Sequence, residues 1–199
     1  MKNLVAIIVL SLLGAVTFAQ ETKSIKFNSA SLSSGKGSLS SGLLFTADFN
    51  KGDDLINITL GERDIYFLYL KKVAKFYVGP SVEFYHNVPT IGQMTNVPVV
   101  NKGNFSLSLL NWYGVSAGIP GQRADFSNWQ LLFFYQSINA SYKRLSFSGA
   151  ALWYKEWGYL FEFKYKQPLT EKISTFVSTG YNFYADGDYL FKLGIVYHL

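Results

Sequence analysis

The chain ends in the stretch Tyr-Leu-Phe-Lys-Leu-Gly-Ile-Val-Tyr-His-Leu, residues 189–199, and this stretch decides the fold class. Its odd-numbered positions are all aromatic or aliphatic, whereas its even-numbered positions include Lys192, Gly194 and His198. Successive side chains of a β-strand point to opposite faces, so alternation with a period of two predicts a strand with one apolar face. The same alternation in residues 158–166 and 172–183 predicts two neighbouring strands of the same kind.

Turn-forming residues separate these strands, with Asp186-Gly187 before the last strand and Pro168 after residues 158–166. Further alternation predicts strands at 43–50, 55–60, 63–72, 75–86, 104–118, 129–140 and 145–154, with longer connections at 87–103 and 119–128. Residues 55–60 and 63–72 could form one bent strand. Because bacterial barrels have an even number of strands, the pattern predicts an all-β, antiparallel up-and-down transmembrane barrel of about eight strands, with roughly ten as the alternative.

Composition supports a protein whose surface does not meet water everywhere. Aromatic residues make up 18% of the 199 residues and charged residues only 16%, against about 25% charged residues in an average soluble domain. The chain has no cysteine, which excludes disulfides, thiolate nucleophiles and Cys-based metal sites. The net charge of +5 is spread singly along the chain rather than clustered, so nucleic-acid binding is not expected and only attraction to anionic lipid head groups is compatible with it.

The N-terminus has the pattern of a secretory signal peptide. Lys2 precedes an apolar run at 4–16, and Thr17-Phe18-Ala19 supplies small residues for cleavage before Gln20. We therefore assign residues 1–19 to a cleaved signal peptide. Residues 20–42 form a Ser/Gly-rich N-terminal segment, in which a short strand is expected at 24–31, and residues 43–199 form the barrel domain.

Alternation alone does not say which face points outward. The apolar face carries Tyr, Phe and Trp from nearly every strand, more than the interior of a small barrel can hold. The other face is rich in Ser, Gly and Ala with isolated charges, as expected of a narrow lumen. The tryptophans stand near strand ends, where aromatic girdles meet the membrane interface; they are Trp112, Trp129, Trp153 and Trp157. We predict that the aromatic face meets lipid.

The final strand, 189–199, resembles the C-terminal strand of bacterial outer-membrane β-barrel proteins. In that family an alternating apolar strand reaches the last residue and is recognised by the barrel insertion machinery. The family usually ends in an aromatic residue, whereas this chain ends in Leu199 with Tyr197 two positions before it. The resemblance covers the general pattern of residues 43–199 and implies a location in the bacterial outer membrane.

Four charged residues are candidates for an interior polar network: Glu83, Glu162, Lys164 and Lys192. Their parity points them away from the aromatic face. Unpaired charges are costly in a low-dielectric interior, so a salt-bridge network that stiffens a narrow barrel is the preferred interpretation. The alternative is a selectivity feature of a conducting pore.

Catalytic and metal sites are not predicted. Ser81, Glu83 and His86 have the residue types of an acyl hydrolase, as in outer-membrane lipid A deacylases. However, residues 86–89 do not match the local motif of those enzymes, and His86 has the opposite parity to the other two. His198 has no visible carboxylate partner, and the Asp pairs at 53–54 and 186–188 do not have the spacing of a Ca²⁺-binding loop.

The sequence therefore predicts a small, monomeric outer-membrane barrel with a structural or surface-interaction role, no catalysis and no cofactor. Its expected partners are outer-membrane lipid and, through the final strand, the insertion machinery. Two alternatives remain open: a lipid-modifying barrel enzyme, and a soluble exported barrel that binds an apolar ligand.

Overall fold

The structure is a computed structural model that describes residues 25–36, 41–61, 64–85, 88–117, 130–154, 156–183 and 188–199. These residues form twelve strands: β1 (Ile25–Lys36), β2 (Ser41–Lys51), β3 (Asp54–Gly61), β4 (Asp64–Val73), β5 (Phe76–Tyr85), β6 (Val88–Lys102), β7 (Phe105–Ser116), β8 (Gln130–Tyr142), β9 (Leu145–Tyr154), β10 (Glu156–Pro168), β11 (Ile173–Asn182) and β12 (Asp188–His198). In the part of the chain so described, no helix is long and apolar enough to cross a membrane.

The strands close into one antiparallel barrel in which each strand pairs with its neighbours in sequence. Pairing of β1 with β12 completes the ring, with Ser33 opposite Gly194 and Leu32 opposite Ile195. A closed ring has no edge strand, so the backbone groups of every strand are paired on both sides. The prediction of an all-β antiparallel barrel is confirmed.

The predicted strand number is wrong, because the barrel has twelve strands rather than eight or ten. Residues 55–60 and 63–72 belong to separate strands, β3 and β4. Strand β6 occupies most of the predicted connection at 87–103, where Pro89 and Pro98 interrupt the alternation; a register shift between Pro98 and Val100 accommodates the second proline. Strand β1 lies in the Ser/Gly-rich segment, and its small side chains gave little apolar signal.

The apolar face points outward, as predicted. Along β12, Phe191, Leu193 and Ile195 are each more than half exposed, whereas Leu190 and Gly194 are buried. The same parity holds on β10, where Phe163 is exposed and Leu160 is buried. The exterior of the ring is therefore a nearly continuous apolar surface, and the lumen holds the smaller and charged side chains.

The tryptophans do not all lie on the outer face. Trp157 is 58% exposed and stands opposite Trp153 in the β9–β10 register. Trp112 was expected in the interfacial girdle, but it is only 6% exposed and points into the lumen. The reason is parity, because Trp112 shares the even-numbered face of β7 with Ser106 and Ser108. Trp129 lies outside the described residues.

An even number of antiparallel strands places the start of β1 and the end of β12 at the same end of the barrel, which we call the turn end. The connections at 52–53, 74–75, 103–104, 143–144 and 169–172 also lie there. Several are tight turns, since Ala74 and Lys143 have φ of 55° and 53° and Gly52 and Gly103 have φ of 63° and 59°. We call the opposite end the far end; most of its connecting residues lie outside the described part of the chain.

Candidate functional site: the barrel lumen

A group of basic side chains lines one side of the lumen, on β10 and β12. Lys164 and Lys192 have the same register partner on β11, Ser178, so a single small residue separates them. Lys166 lies one step closer to the turn end, and its Nζ is 2.8 Å from Nε2 of His198. An ammonium group has only donors, so Lys166 donates to this imidazole nitrogen. We call Lys164, Lys166, Lys192 and His198 the lysine wall.

The aromatic ring of Phe176 contacts the lysine wall. Nζ of Lys164 lies 4.0 Å from the ring centroid of Phe176, a distance at which a cation and a ring face attract each other. Phe176 points into the lumen from β11 and is buried. A Cβ at position 194 would overlap this ring, so only glycine on β12 leaves room for it. Gly194 thereby allows Phe176 to lie against the barrel wall.

Few carboxylates neutralise the lysine wall. Glu162 shares the inward face of β10, but no ion pair under 4.0 Å among the described residues joins it to a lysine of the wall. Asp48, on β2, already accepts hydrogen bonds from Ser29 Oγ at 2.9 Å and from Asn57 Nδ2 at 2.7 Å. The wall therefore presents more positive than negative charge to the lumen.

The four residues predicted to form an interior network occupy two separate places. Glu162, Lys164 and Lys192 lie together at the lysine wall. Glu83 lies near the far end on β5, where it is 5% exposed, accepts a hydrogen bond from Tyr66 and has Asp64 as its neighbouring charge. A salt-bridge network among Glu162, Lys164 and Lys192 stays a prediction.

The hydrolase alternative gains no support from the position of Ser81. Its Oγ is buried and accepts a hydrogen bond from Trp112 Nε1 at 2.9 Å. Glu83 faces the lumen beside it, as predicted, whereas His86 lies outside the described residues. This contact uses the Ser81 hydroxyl as an acceptor and supplies no base that would activate it as a nucleophile.

Nearer the far end than the lysine wall, apolar side chains from β4 and β6–β10 fill part of the lumen. The ring of Trp112 makes an edge contact with Tyr135, at 6.3 Å between centroids, and a tilted contact with Tyr66, at 6.5 Å. We call this cluster the apolar plug; its other members are Met94, Leu110, Ala150, Leu152 and Leu160. Sequence reasoning missed the plug. The signals that could have found it are the even number of Trp112 on β7 and the odd number of Tyr135 on β8, because these are the inward positions of the two strands.

Glycine makes room for the centre of the plug. A Cβ at Gly92 on β6 would lie 3.0 Å from both Trp112 Nε1 and Ser81 Oγ, closer than ordinary van der Waals contact. The indole therefore packs directly over the β6 backbone. A cavity of about 250 Å³ lies next to the plug, lined in part by Tyr66, Ser81 and Glu83.

A second cavity, of about 260 Å³, lies between the lysine wall and β7–β9. Five of its ten lining residues are serines, and Glu162 and Lys164 are among the others. Pairs of these groups bond to each other, with 2.6 Å between the Oγ atoms of Ser106 and Ser141. A polar cavity of this size is expected to hold water. The lumen thus contains a polar cavity beside the lysine wall and, nearer the far end, an apolar obstruction.

Comparison with known proteins gives a likeness of shape only. No known protein family matches the sequence, and no curated protein is significantly similar to it. Among solved structures, the chain is similar to one described as "KdgM porin", with a TM-score of 0.49 and 10% identity over 87% of this chain and 99% of that one. It is also similar to "KdgM porin in complex with disordered oligogalacturonate", with a TM-score of 0.46 and 12% identity over 88% and 99%.

Proposed function

We propose that this chain is a non-catalytic barrel of the bacterial outer membrane whose lumen admits small anionic solutes. The observation that carries the proposal is the lysine wall, which projects into the lumen of a closed barrel with an apolar exterior. The preference for a purely structural interior depended on about eight strands, whose lumen is filled by side chains. Twelve strands enclose a wider interior, so that reason no longer holds.

The exterior supports the membrane location. Soluble monomers rarely expose apolar patches larger than a few hundred Å², whereas here every strand except β2 and β3 carries exposed large aromatic or aliphatic side chains. At the turn end, Tyr69 projects outward and its hydroxyl donates to Asp54 at 2.5 Å. A tyrosine with its ring on the apolar band and its hydroxyl at a polar strand end suits the membrane interface.

The proposed path follows from the charge distribution. Anions entering the lumen meet the ammonium groups of Lys164, Lys166 and Lys192 without a carboxylate paired directly to them. Charged side chains of one sign that line a pore set its preference for cations or anions, because their charge acts on the ion across a short, partly desolvated distance. Hydroxyl groups of the neighbouring cavity can replace part of a solute's hydration shell.

Purified protein in planar bilayers tests the proposed function. In a KCl gradient we expect a reversal potential of the sign that chloride preference produces. Replacing Lys164 and Lys192 together by Gln is expected to lower the chloride-to-potassium permeability ratio by about two- to fivefold. Lys102→Gln is the matched control, because this lysine lies at the exposed turn end of β6 and its loss leaves the ratio unchanged. Absence of current steps, or a ratio insensitive to both lysines, contradicts the proposal.

The ends of the barrel are expected to differ in accessibility. Outer-membrane barrels have short turns on the periplasmic side, so we propose that the turn end faces the periplasm. The chain has no cysteine, so Lys75→Cys and Asp188→Cys each introduce a single thiol, at the turn end and the far end. A membrane-impermeant maleimide added to intact cells is expected to label position 188, and to label position 75 only after permeabilisation. The reverse pattern would invert the topology.

A surface-interaction role through the predicted connections at 87–103 or 119–128 stays a prediction, although most of the first of these is strand β6. The second lies outside the described residues.

A further inference from the structure

We propose that the outer wall formed by β6–β9 is a contact surface for a second copy of this chain within the membrane. The proposal rests on the membrane location proposed above. It replaces the monomer expected from the sequence, because one part of the exterior carries amide side chains at mid-strand depth, where the outward positions of β10, β11 and β12 carry none.

A row of polar and small residues crosses four neighbouring strands on the outer face. Thr95 on β6 is the register partner of Asn111 on β7, which pairs with Gln136 on β8, which pairs with Ala151 on β9. All four have the outward parity of their strands. The row lies near mid-strand on β7 and β8, which is the depth of the hydrocarbon core in a spanning barrel.

The two amides of this row bond to each other but keep unused groups. Gln136 Nε2 donates to Asn111 Oδ1 at 2.9 Å. An amide side chain carries two N–H donors and one carbonyl acceptor. Gln136 Oε1 and Asn111 Nδ2 therefore take no part in this bond. Lipid tails offer no partner for either, and polar groups without partners in hydrocarbon are costly.

A second polar pair lies beside the first on the same wall. Tyr113 Oη donates to Gln93 Oε1 at 2.7 Å. The amide nitrogen of Gln93 remains as a further donor on this surface. Amides thus occur on β6, β7 and β8 in one patch, whereas the outward positions of β10 and β12 at similar depth are Phe161, Phe163 and Leu193.

Small side chains lie beside the amides on β9. Ala151 is the register partner of Gln136 and Gly149 is the next outward residue of that strand, whereas Phe134 and Ile138 flank Gln136 on β8 itself. Within membranes, small residues allow two protein surfaces to approach closely, and Asn and Gln side chains then form hydrogen bonds across the contact. The patch combines both properties, and the neighbouring β10, with Tyr159 and Phe161, does not.

The hydrogen-bonding groups of this row indicate which molecule would bind to the patch. Among the described residues no other hydrogen bond engages Asn111 Nδ2 or Gln136 Oε1, so each copy offers one donor and one acceptor here. Two copies related by a two-fold axis through this patch can form two such hydrogen bonds. In an isologous contact, Asn111 of each copy faces Gln136 of the other copy. A lipid head group does not reach mid-strand depth, and a surface that satisfies itself needs no second kind of protein. The complementary partner is a second copy.

Cross-linking in native membranes tests the inference. Ala151→Cys places one thiol beside the amides in a chain that has no other cysteine. A short bis-maleimide is expected to give a band of twice the chain mass. Val177→Cys, on the outer wall of β11, is the control and is expected to stay at monomer mass. Adding Asn111→Leu and Gln136→Leu to Ala151→Cys is expected to reduce the dimer band about tenfold.

A parallel variant controls for the introduced leucines. Thr175→Leu with Thr179→Leu makes the same kind of change on the outer wall of β11, and the dimer band of Ala151→Cys should persist in it. No dimer at position 151, equal dimer at 177, a band that survives loss of both amides, or a cross-linked product of another mass would each overturn the inference.

Membrane fractionation and the mobility shift between heated and unheated samples are recorded for every variant. Recovery in the outer membrane with a mobility shift, but without cross-linking, defeats this inference and leaves the proposed function standing. Recovery of the wild-type chain in a soluble fraction defeats both.

Discussion

Replacing Leu193 by Arg is expected to lower the free energy of unfolding in lipid vesicles by about 2–4 kcal/mol. Leu193 lies halfway along β12, points outward and is 52% exposed. If the exterior of the ring meets hydrocarbon, a guanidinium at this depth loses its hydration and has no partner. If the exterior met water, an exposed Leu→Arg change would alter stability by less than about 0.5 kcal/mol. The sign and size of this one effect separate a membrane barrel from a soluble one.

The control for this measurement is the same substitution at a position nearer the membrane interface. Leu145→Arg makes the same substitution on the outward face of β9, but at the turn end, beside the connection at 143–144. Near the interface the cost of an arginine falls to about 0–1 kcal/mol. Urea titrations of both variants in vesicles, followed by tryptophan fluorescence, give the two values. Equal and small effects at both positions would rule out the membrane-spanning arrangement and favour the soluble barrel with an apolar exterior.

Replacing Trp112 by Ala is expected to raise the single-channel conductance about two- to fivefold, because it removes the centre of the apolar plug. The indole is 6% exposed and contacts the rings of Tyr66 on β4 and of Tyr135, its register partner on β8. Its loss would join the cavity beside the plug to the path along the lysine wall. Conductance rises with the cross-section of the narrowest part of the path. The substitution also costs about 3–5 kcal/mol of stability, as for other buried Trp→Ala changes.

The matched control is Trp157→Ala, since Trp157 is on the outer face and 58% exposed. Its removal leaves the lumen unchanged and is expected to leave conductance within the scatter of the wild-type value. Recordings are compared only for protein that shows the mobility shift of a closed barrel, so that a loss of folding is not mistaken for a change of conductance. A Trp112→Ala barrel with wild-type conductance would mean that the ion path does not pass the plug.

The sequence predicted the strands with complete alternation and failed where alternation is weak. Strands β10, β11 and β12 carry long aromatic or aliphatic faces, and their positions were predicted closely. Strand β6 was missed because prolines and Gly92 break its pattern, although a bulge near Pro98 keeps it in the sheet. Strand β1 was only partly predicted, because a row of serines lacks the apolar contrast on which periodicity depends.

The candidate site was predicted in part for a related reason. Parity placed Glu162, Lys164 and Lys192 in the interior, and adjacency of the last strands brought them together. Glu83 also lies at an inward position of its own strand, but its distance around the ring from β10 depends on the number of strands between them. The lysine–histidine pair of Lys166 and His198 depends on the register of β10, β11 and β12, which alternation leaves open.

The sequence by itself determined that this chain forms antiparallel strands with one aromatic and one polar face, because side-chain direction on a strand alternates whatever the partner. The parity of positions along β7 also predicts that Trp112 points inward. Only the tertiary structure decided how many strands close the ring, where β1 meets β12, and which side chains face one another across the lumen. Those properties depend on the register and closure of all strands together, and no single stretch of sequence encodes them.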